Sequence, residues 1–586
     1  MKKELEQLKR IIEKRGYDAY VIFTSDDHGS EYVEDHFKAR AYFSGFTGSA
    51  GTFVVTKDES ALWTDGRYFL QAARELSLSG ATLMKDGEPS VPSVVEYLKA
   101  KKCGRIAFDF STATSRFVET LKKSMPDASL VDDGNIVDEV WQDRPALPAS
   151  KAYIIPFEQA GESVASKLEN LVKDTKEAGC DFALVSSLDD VAWLFNLRGD
   201  DIRYNPVNYA YALVGEGHSI LYIDDTKLSE DVQTKFALDK IVLRPYLAVY
   251  DDLKALTGKV LIDESKTNYA LSLCIKDKKI ANVFPTTMRK AIKNEIEIAN
   301  SKKAQLEDSV AMVKFMRWLK ENVGKEKMTE ISVADKLETF RKESDKFVSL
   351  SFDTICGYME NGAVIHYSAT PETDKEVLAK GLLLVDSGAQ YLYGTTDITR
   401  TYALGEITDE MRRDYTLVLK AHIALARAVF PLNTYGAALD LLTREPMLKE
   451  GKNFRHGTGH GVGYLLNVHE GPHNISPRAN WQYHTSPFKA GMFVTDEPGV
   501  YIENEYGIRH ENILLCVDNG TNEYGATLGF EPLTFVPFDL DAIDACALQK
   551  DEKAWLNGYH KAVYDKVSPL IDDELKAYLK HATREI

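Results

Sequence analysis

Asp386 and Asp397 occupy one stretch of the 586-residue chain, GLLLVDSGAQYLYGTTDITRTYAL. The apolar run from Leu382 to Val385 reads as a buried strand, and Asp386 follows where that strand emerges into polar sequence. A glycine-containing turn leads to Asp397 and the β-branched run ITRTY, so the stretch predicts a hairpin with two carboxylates near its mouth. Two such groups are costly to hold together unless a cation or a shared proton neutralises them. Taken alone they read as solvated turn aspartates, because Asp favours turns, and other segments must decide between the two.

Four further segments carry acid or imidazole groups in unusual settings. GAVIHYSAT sets His366 at the end of an apolar strand; RHGTGHGVGYLLNVHEGP carries His456, His460 and His469 among five glycines. The strand MFVTDEPG brings Glu497 to a Glu-Pro-Gly turn, and YGIRHENILL places Glu511 between Ile508 and Ile513. A carboxylate in that apolar setting is hard to explain as packing, because burying it unpaired is expensive. His456 and His460 have helical spacing, but the glycines favour a loop. The same glycines do not make a phosphate cradle, since no Lys-Ser/Thr follows them. Asp386, Asp397, His460, Glu497 and Glu511 together offer four carboxylates and one imidazole. Ligation dominated by oxygen favours a harder divalent ion such as Mn²⁺, with Zn²⁺ or Co²⁺ also admitted. Four carboxylates balance two divalent ions, and a pair about 3.5–4 Å apart would bridge a water and lower its pKa toward neutrality.

The elements that must position these groups come late in the chain. Helices and hairpins alternate from a long helical stretch near Ala291 to about residue 540, and the tail WLNGYHKAVYDKVSPLIDDELKAYLKH offers amphipathic helical turns without chemistry. Ahead of them one layout occurs twice. Leu5, Leu8, Ile11 and Ile12 make a helix face ended by Gly16, followed by the strand AYVIF and a hairpin, TFVVT and SALWT around KDE. After the linker-like PALPAS, Val164, Leu168, Leu171 and Val172 repeat the helix face, closed by Gly179, and the strands FALVS, YAYALVG and SILYIDD follow. Arg67, Trp193 and Arg198 are tempting ligand contacts there, but aromatics and snorkelling arginines more often pack. The reading is an α/β (α+β) chain: two related α/β domains at 1–150 and 151–304, a third at 305–540 and a helical extension at 541–586.

Bulk properties narrow the function. Net charge is 71 − 89 = −18, which argues against nucleic acid or an anionic membrane as partner. No run approaches the roughly 18 apolar residues of a membrane span, and the basic N-terminus lacks the apolar core of a signal peptide. The six cysteines are scattered without a C-x-x-C pair, as in reduced proteins, which points to the cytoplasm.

The segments VDSGAQ, GTTDITR, GTGHG, TDEPG and GIRHEN, in that order, resemble the pita-bread metallopeptidases, the family of methionine aminopeptidase, prolidase and aminopeptidase P. The likeness is strongest to three-domain, cytosolic-type Xaa-Pro aminopeptidases. It extends through GSAGTFVVTKDESALWTDGRYFLQAA and LDDVAWLFNLRGDDIRYNPV to the C-terminal WLNGYHK. The resemblance implies two creatinase-N-like domains before a pita-bread catalytic domain, and a homodimer. It makes Asp386, Asp397, His460, Glu497 and Glu511 the ligands of two metal ions. His366, His456 and His469 become histidines that contact the substrate, and Arg509 and Val468 join His456 around a proline ring. His510 departs from the pattern, where an apolar residue is expected; beside Glu511 it should point the other way. The implied reaction is attack by a metal-bridging hydroxide on the Xaa-Pro bond of a peptide N-terminus. His366 or His469 would steady the oxyanion and Glu497 would carry the proton. A prolidase confined to dipeptides, or a non-catalytic binding protein on the same fold, are the alternatives; all five ligand positions being present argues against the latter.

Overall fold

The computed structural model describes residues 2–477 and 485–586. The chain forms two compact units, the first running to Phe157 and taking in Glu162–Thr286, the second made of Glu158–Gly161 with Thr287–Ile586.

Two six-stranded sheets of one topology build the first unit. Strand order is Thr82–Lys85, Ser60–Thr64, Thr52–Val55, Ala19–Phe23, Arg105–Phe108, Ser129–Asp132 in one. In the other it is Val242–Arg244, His218–Ile223, Ala210–Gly215, Phe182–Val185, Lys259–Ile262, Asp277–Ile280. Ala19–Phe23 and Phe182–Val185 each pair antiparallel with a hairpin strand on one side and parallel on the other. The internal repeat is thus present strand for strand. Its helices bury the expected faces, Leu5, Leu8 and Ile12 in Lys3–Arg15 and Val164, Leu168 and Leu171 in Val164–Glu177. Arg67 pairs with Asp65 at 2.9 Å, Lys167 lies over the Trp193 ring at 4.2 Å, and Arg198 donates to the Ala192 and Leu197 carbonyl oxygens at 3.0 Å. Each of the three thus has a partner within the first unit.

In the second unit the helical stretch expected from Ala291 comes as two helices, Pro285–Ala291 and Glu295–Asn322. Asn294 separates them: its side chain accepts from the backbone N–H groups of Ile296 and Glu297 while Glu297 reaches back, a capping box. A domain start at 305 falls inside the second helix, and the compact units part earlier, between Thr286 and Thr287. The predicted hairpin is present as Leu382–Ser387 against Ile398–Ala403, in a three-stranded sheet with Ile355–Tyr358. A second sheet runs Val429–Pro431, Gly525–Pro532, Asn512–Asn522, Phe493–Asp496, Gly459–Gly461, Glu470–Ile475. The tail helices Lys550–Val567 and Asp573–Ala582 set Leu556, Tyr559, Val563, Leu575 and Leu579 into one core with Tyr415, Val418 and Ile423 of the helix Asp409–Ala426. Burying each such side chain contributes about 1.5–3 kcal/mol, so the tail is integral to this unit. No helix among the described residues is long and apolar enough to cross a membrane.

Candidate metal centre

Two sheets of the second unit carry the predicted ligands. Asp386 lies within its strand, opposite Thr399 on one side and Ile355 on the other, and Asp397 immediately precedes the returning strand. From the larger sheet, Asp496 pairs with Asn512, so Glu497 and Glu511 leave the same end of one strand pair as neighbours. The Glu511 N–H donates to the Thr399 carbonyl oxygen at 3.1 Å, joining that sheet to the hairpin. His460 occupies the short strand Gly459–Gly461 where the glycines suggest a loop. The reason is steric. A Cβ on Gly459 would sit 1.8 Å from the Thr495 carbonyl oxygen, and one on Gly461 2.3 Å from that of Glu470, so glycine lets the strands close up around His460.

Ligand atoms of Asp397, His460 and Glu511 lie within 4.8 Å of one another. His460 Nδ1 is 2.9 Å from the Gly461 carbonyl oxygen, which can only accept, so Nδ1 carries a proton. The Nε2 lone pair then faces Asp397 Oδ2 at 3.4 Å and Glu497 Oε1 at 3.6 Å. Asp386 Oδ2 accepts from Arg509 at 2.5 and 3.2 Å, whereas Oδ1 is buried without a partner. Burial, reinforced by the neighbouring carboxylates, holds Asp397 and Glu511 well above the ordinary carboxylate range. Burial lifts Glu497 to about 7 against the pull of His460 and Arg509. A lone pair aimed at two carboxylates, an orphaned buried oxygen and acids forced toward protonation all call for positive charge. The donor set fits divalent cations.

The other predicted residues surround these donors. The His469 ring stands edge-on to His460 with centroids 4.3 Å apart, and Val468 before it is buried. His366 follows the helical turn Met359–Ala363, not a strand, and the carbonyl of its neighbour Ile365 accepts from Arg509 at 3.4 Å. The apolar run before it is buried in a turn, and burial alone selects apolar residues. His456 Nδ1 donates to the Gly457 carbonyl at 2.7 Å and lies 3.8 Å from Glu497 Oε2. His510 is fully buried against Tyr415 and Phe538, with ring centroids at 4.3 and 5.5 Å, and burial holds it uncharged.

Three contributing residues have no chemical signature in the sequence. The Tyr501 hydroxyl lies 2.8 Å from His456 Nε2 and accepts from Arg509 Nη1 at 2.8 Å, linking both to Asp386. The ribbon pairing of Gly499 with Arg509 and Tyr501 with Gly507 puts Tyr501 and Arg509 on one face, a signal available from the period-two pattern of PGVYIENEYGIR. Thr399 donates to Glu511 Oε2 at 2.6 Å. Arg400, fully buried, donates to the carbonyl oxygens of Glu511 at 2.6 Å and Val536 at 2.8 Å, and to the Tyr559 hydroxyl at 3.1 Å.

Comparison with known proteins identifies the family. Residues 299–518 match metallopeptidase family M24 and 526–586 the C-terminal region of peptidase M24. Residues 4–140 and 143–297 match creatinase/prolidase N-terminal domains. Aminopeptidase P2 of Arabidopsis thaliana is 41% identical over 97% of this chain and 86% of its own. A probable Xaa-Pro aminopeptidase P of Pyrenophora teres f. teres (strain 0-1) is 40% identical over 97% and 90%. The crystal structure of X-prolyl aminopeptidase from Caenorhabditis elegans, described as a cytosolic enzyme with a di-nuclear active site, superposes with a TM-score of 0.95 at 35% identity, covering 100% of this chain and 99% of that one. The chain belongs to metallopeptidase family M24, in its Xaa-Pro aminopeptidase P branch.

Proposed function

We propose that this protein releases the N-terminal residue from peptides whose second residue is proline. The observation that carries the reading is the convergence of Asp397, His460 and Glu511 ligand atoms beside the unpartnered Asp386 Oδ1, in a chain similar along its whole length to Xaa-Pro aminopeptidases P. Asp386, Asp397, His460, Glu497 and Glu511 would hold two divalent ions. Mn²⁺ suits so oxygen-rich a donor set, with Zn²⁺ and Co²⁺ admitted. Such ions supply Lewis-acid polarisation of the scissile carbonyl and a water of lowered pKa.

The chain's own residues do the rest. Glu497, beside His460 and His456, would move a proton to the departing proline nitrogen. His366 and His469 would hydrogen-bond the developing oxyanion. An Xaa-Pro bond offers no amide N–H, so recognition rests on the ring's shape. Val468, His456 and Arg509 form that wall, with Tyr501 locking the last two together. Location in the cytoplasm and assembly as a homodimer complete the proposal.

The test is hydrolysis by chelator-stripped protein, with and without Mn²⁺, of Xaa-Pro-Yaa, Xaa-Pro and Xaa-Ala-Yaa. Mn²⁺-restored release from Xaa-Pro-Yaa, much faster than from the other two, is expected. Cleavage confined to the dipeptide would make the protein a prolidase, and silence on all three with metal bound would make it a binding protein.

A further inference from the structure

Beneath the two histidines of the site lies a sealed charged cluster that the reaction does not use. Glu470, directly after His469, is 3% exposed and has both carboxylate oxygens engaged. Lys290 Nζ donates to Oε2 at 2.9 Å and Lys293 Nζ donates to Oε1. The lysines are 2% and 3% exposed and come from the helix Pro285–Ala291 and the turn after it. That turn is itself fixed: the Lys293 N–H donates to the Gly491 carbonyl oxygen at 2.9 Å, and Ile292 bridges to Met492. On its other side Glu470 pairs across the sheet with Gly461, the residue after the ligand His460.

A buried ion triad is a poor device for stability, since apolar residues of similar volume usually serve as well or better. What it does provide is position. Two cations, one from the helix Pro285–Ala291 and one from the turn after it, grip both oxygens of a single carboxylate, which restrains the peptide joining Glu470 to His469. We propose that Glu470, clamped by Lys290 and Lys293, is a positioning residue that aims the His469 ring at the substrate carbonyl. This rests on His469 belonging to the reactive site. Outer partners of site residues typically account for 10–100-fold in activity.

The decisive variant replaces the triad with apolar residues, Lys290→Met, Glu470→Leu and Lys293→Met together. We expect it to keep the parental thermal midpoint and Mn²⁺ content while kcat on Xaa-Pro-Yaa falls about tenfold at unchanged KM. In a His469→Ala background the same triple replacement should cost nothing further, because groups acting as one unit are not additive. Parental kcat in the folded, metal-replete triple variant, or losses that multiply on His469→Ala, would overturn the proposal. Should the triple variant not fold, Lys290→Met, which leaves a neutral Lys293–Glu470 pair, carries the same comparison. Parental turnover by His469→Ala alone would overturn the site assignment itself, so the two failures are told apart.

Discussion

Replacing Glu497 with glutamine in the metal-free protein should remove the part of the parent's pH-dependent stability that Glu497 itself carries, leaving the part due to Asp397 and Glu511. Burial raises this carboxyl from 4.5 to about 7 in the folded chain, so the native state binds a proton more tightly than the unfolded state. Stability from this group is therefore full below the unfolded pKa, declines as pH rises toward 7, and is flat above. The difference of about 2.5 units corresponds to about 3 kcal/mol. At roughly 2 cal/mol/K per residue, in a unit of about 300 residues, that is about 5 °C in midpoint. Thermal unfolding of chelator-stripped parent and Glu497→Gln between pH 4.5 and 8 reads it directly: the variant should gain about 5 °C on the parent across that range. Bound metal reverses the dependence, because protons then compete with the ion and affinity climbs with pH. A gap between parent and variant that is constant with pH, or widens toward acid, would refute the argument that burial strains this carboxylate.

Asp27 in the first unit is raised to about 7 by burial and the nearby Asp109. Asp27→Asn should accordingly stabilise the protein at pH 8 and leave it unchanged at pH 4, as measured by chemical denaturation at both. Thr399→Val removes the 2.6 Å hydrogen bond to Glu511 and should weaken Mn²⁺ binding about tenfold by metal titration; parental affinity would remove Thr399 from the site. Tyr501→Phe cuts the link between Arg509 and His456, so kcat/KM for Xaa-Pro-Yaa should drop about tenfold with metal content intact. Asp386→Ala or Glu511→Ala should abolish metal retention after gel filtration, and an active, metal-replete variant would contradict the ligand set.

What the sequence discloses about this site follows a physical line. Glu511 between isoleucines is conspicuous because an acid in an apolar setting needs a reason, and Asp386 at the end of LLLV is visible for the same cause. The repeated hairpins of the first unit are local in sequence, and their topology is legible. The apolar run before His366 suggests a strand, yet only Ala363 of it belongs to the helical turn Met359–Ala363 and Val364 and Ile365 follow as a turn; Gly362 there meets Gly507 so closely that a Cβ on Gly507 would lie 1.7 Å from the Gly362 carbonyl oxygen. Non-local partners are beyond pattern reading. Arg400 meets Tyr559 across 159 residues and Lys290 meets Glu470 across 180, and neither pair has a periodicity to announce it.

The bond between Arg400 and Tyr559 bears on how the enzyme is made. Arg400 carries the Glu511 carbonyl, and Tyr559 belongs to the helix Lys550–Val567. While that helix is still being synthesised, Arg400 lacks one of its acceptors and the core around Tyr415 lacks its lid, so the strand end bearing Glu511 is not yet fixed. Domains tend to fold as they emerge, and the two sheets of the first unit can form early. The strand end bearing Glu511 draws on a helix that follows it in sequence, so the candidate metal centre takes its final shape after both sheets of the first unit.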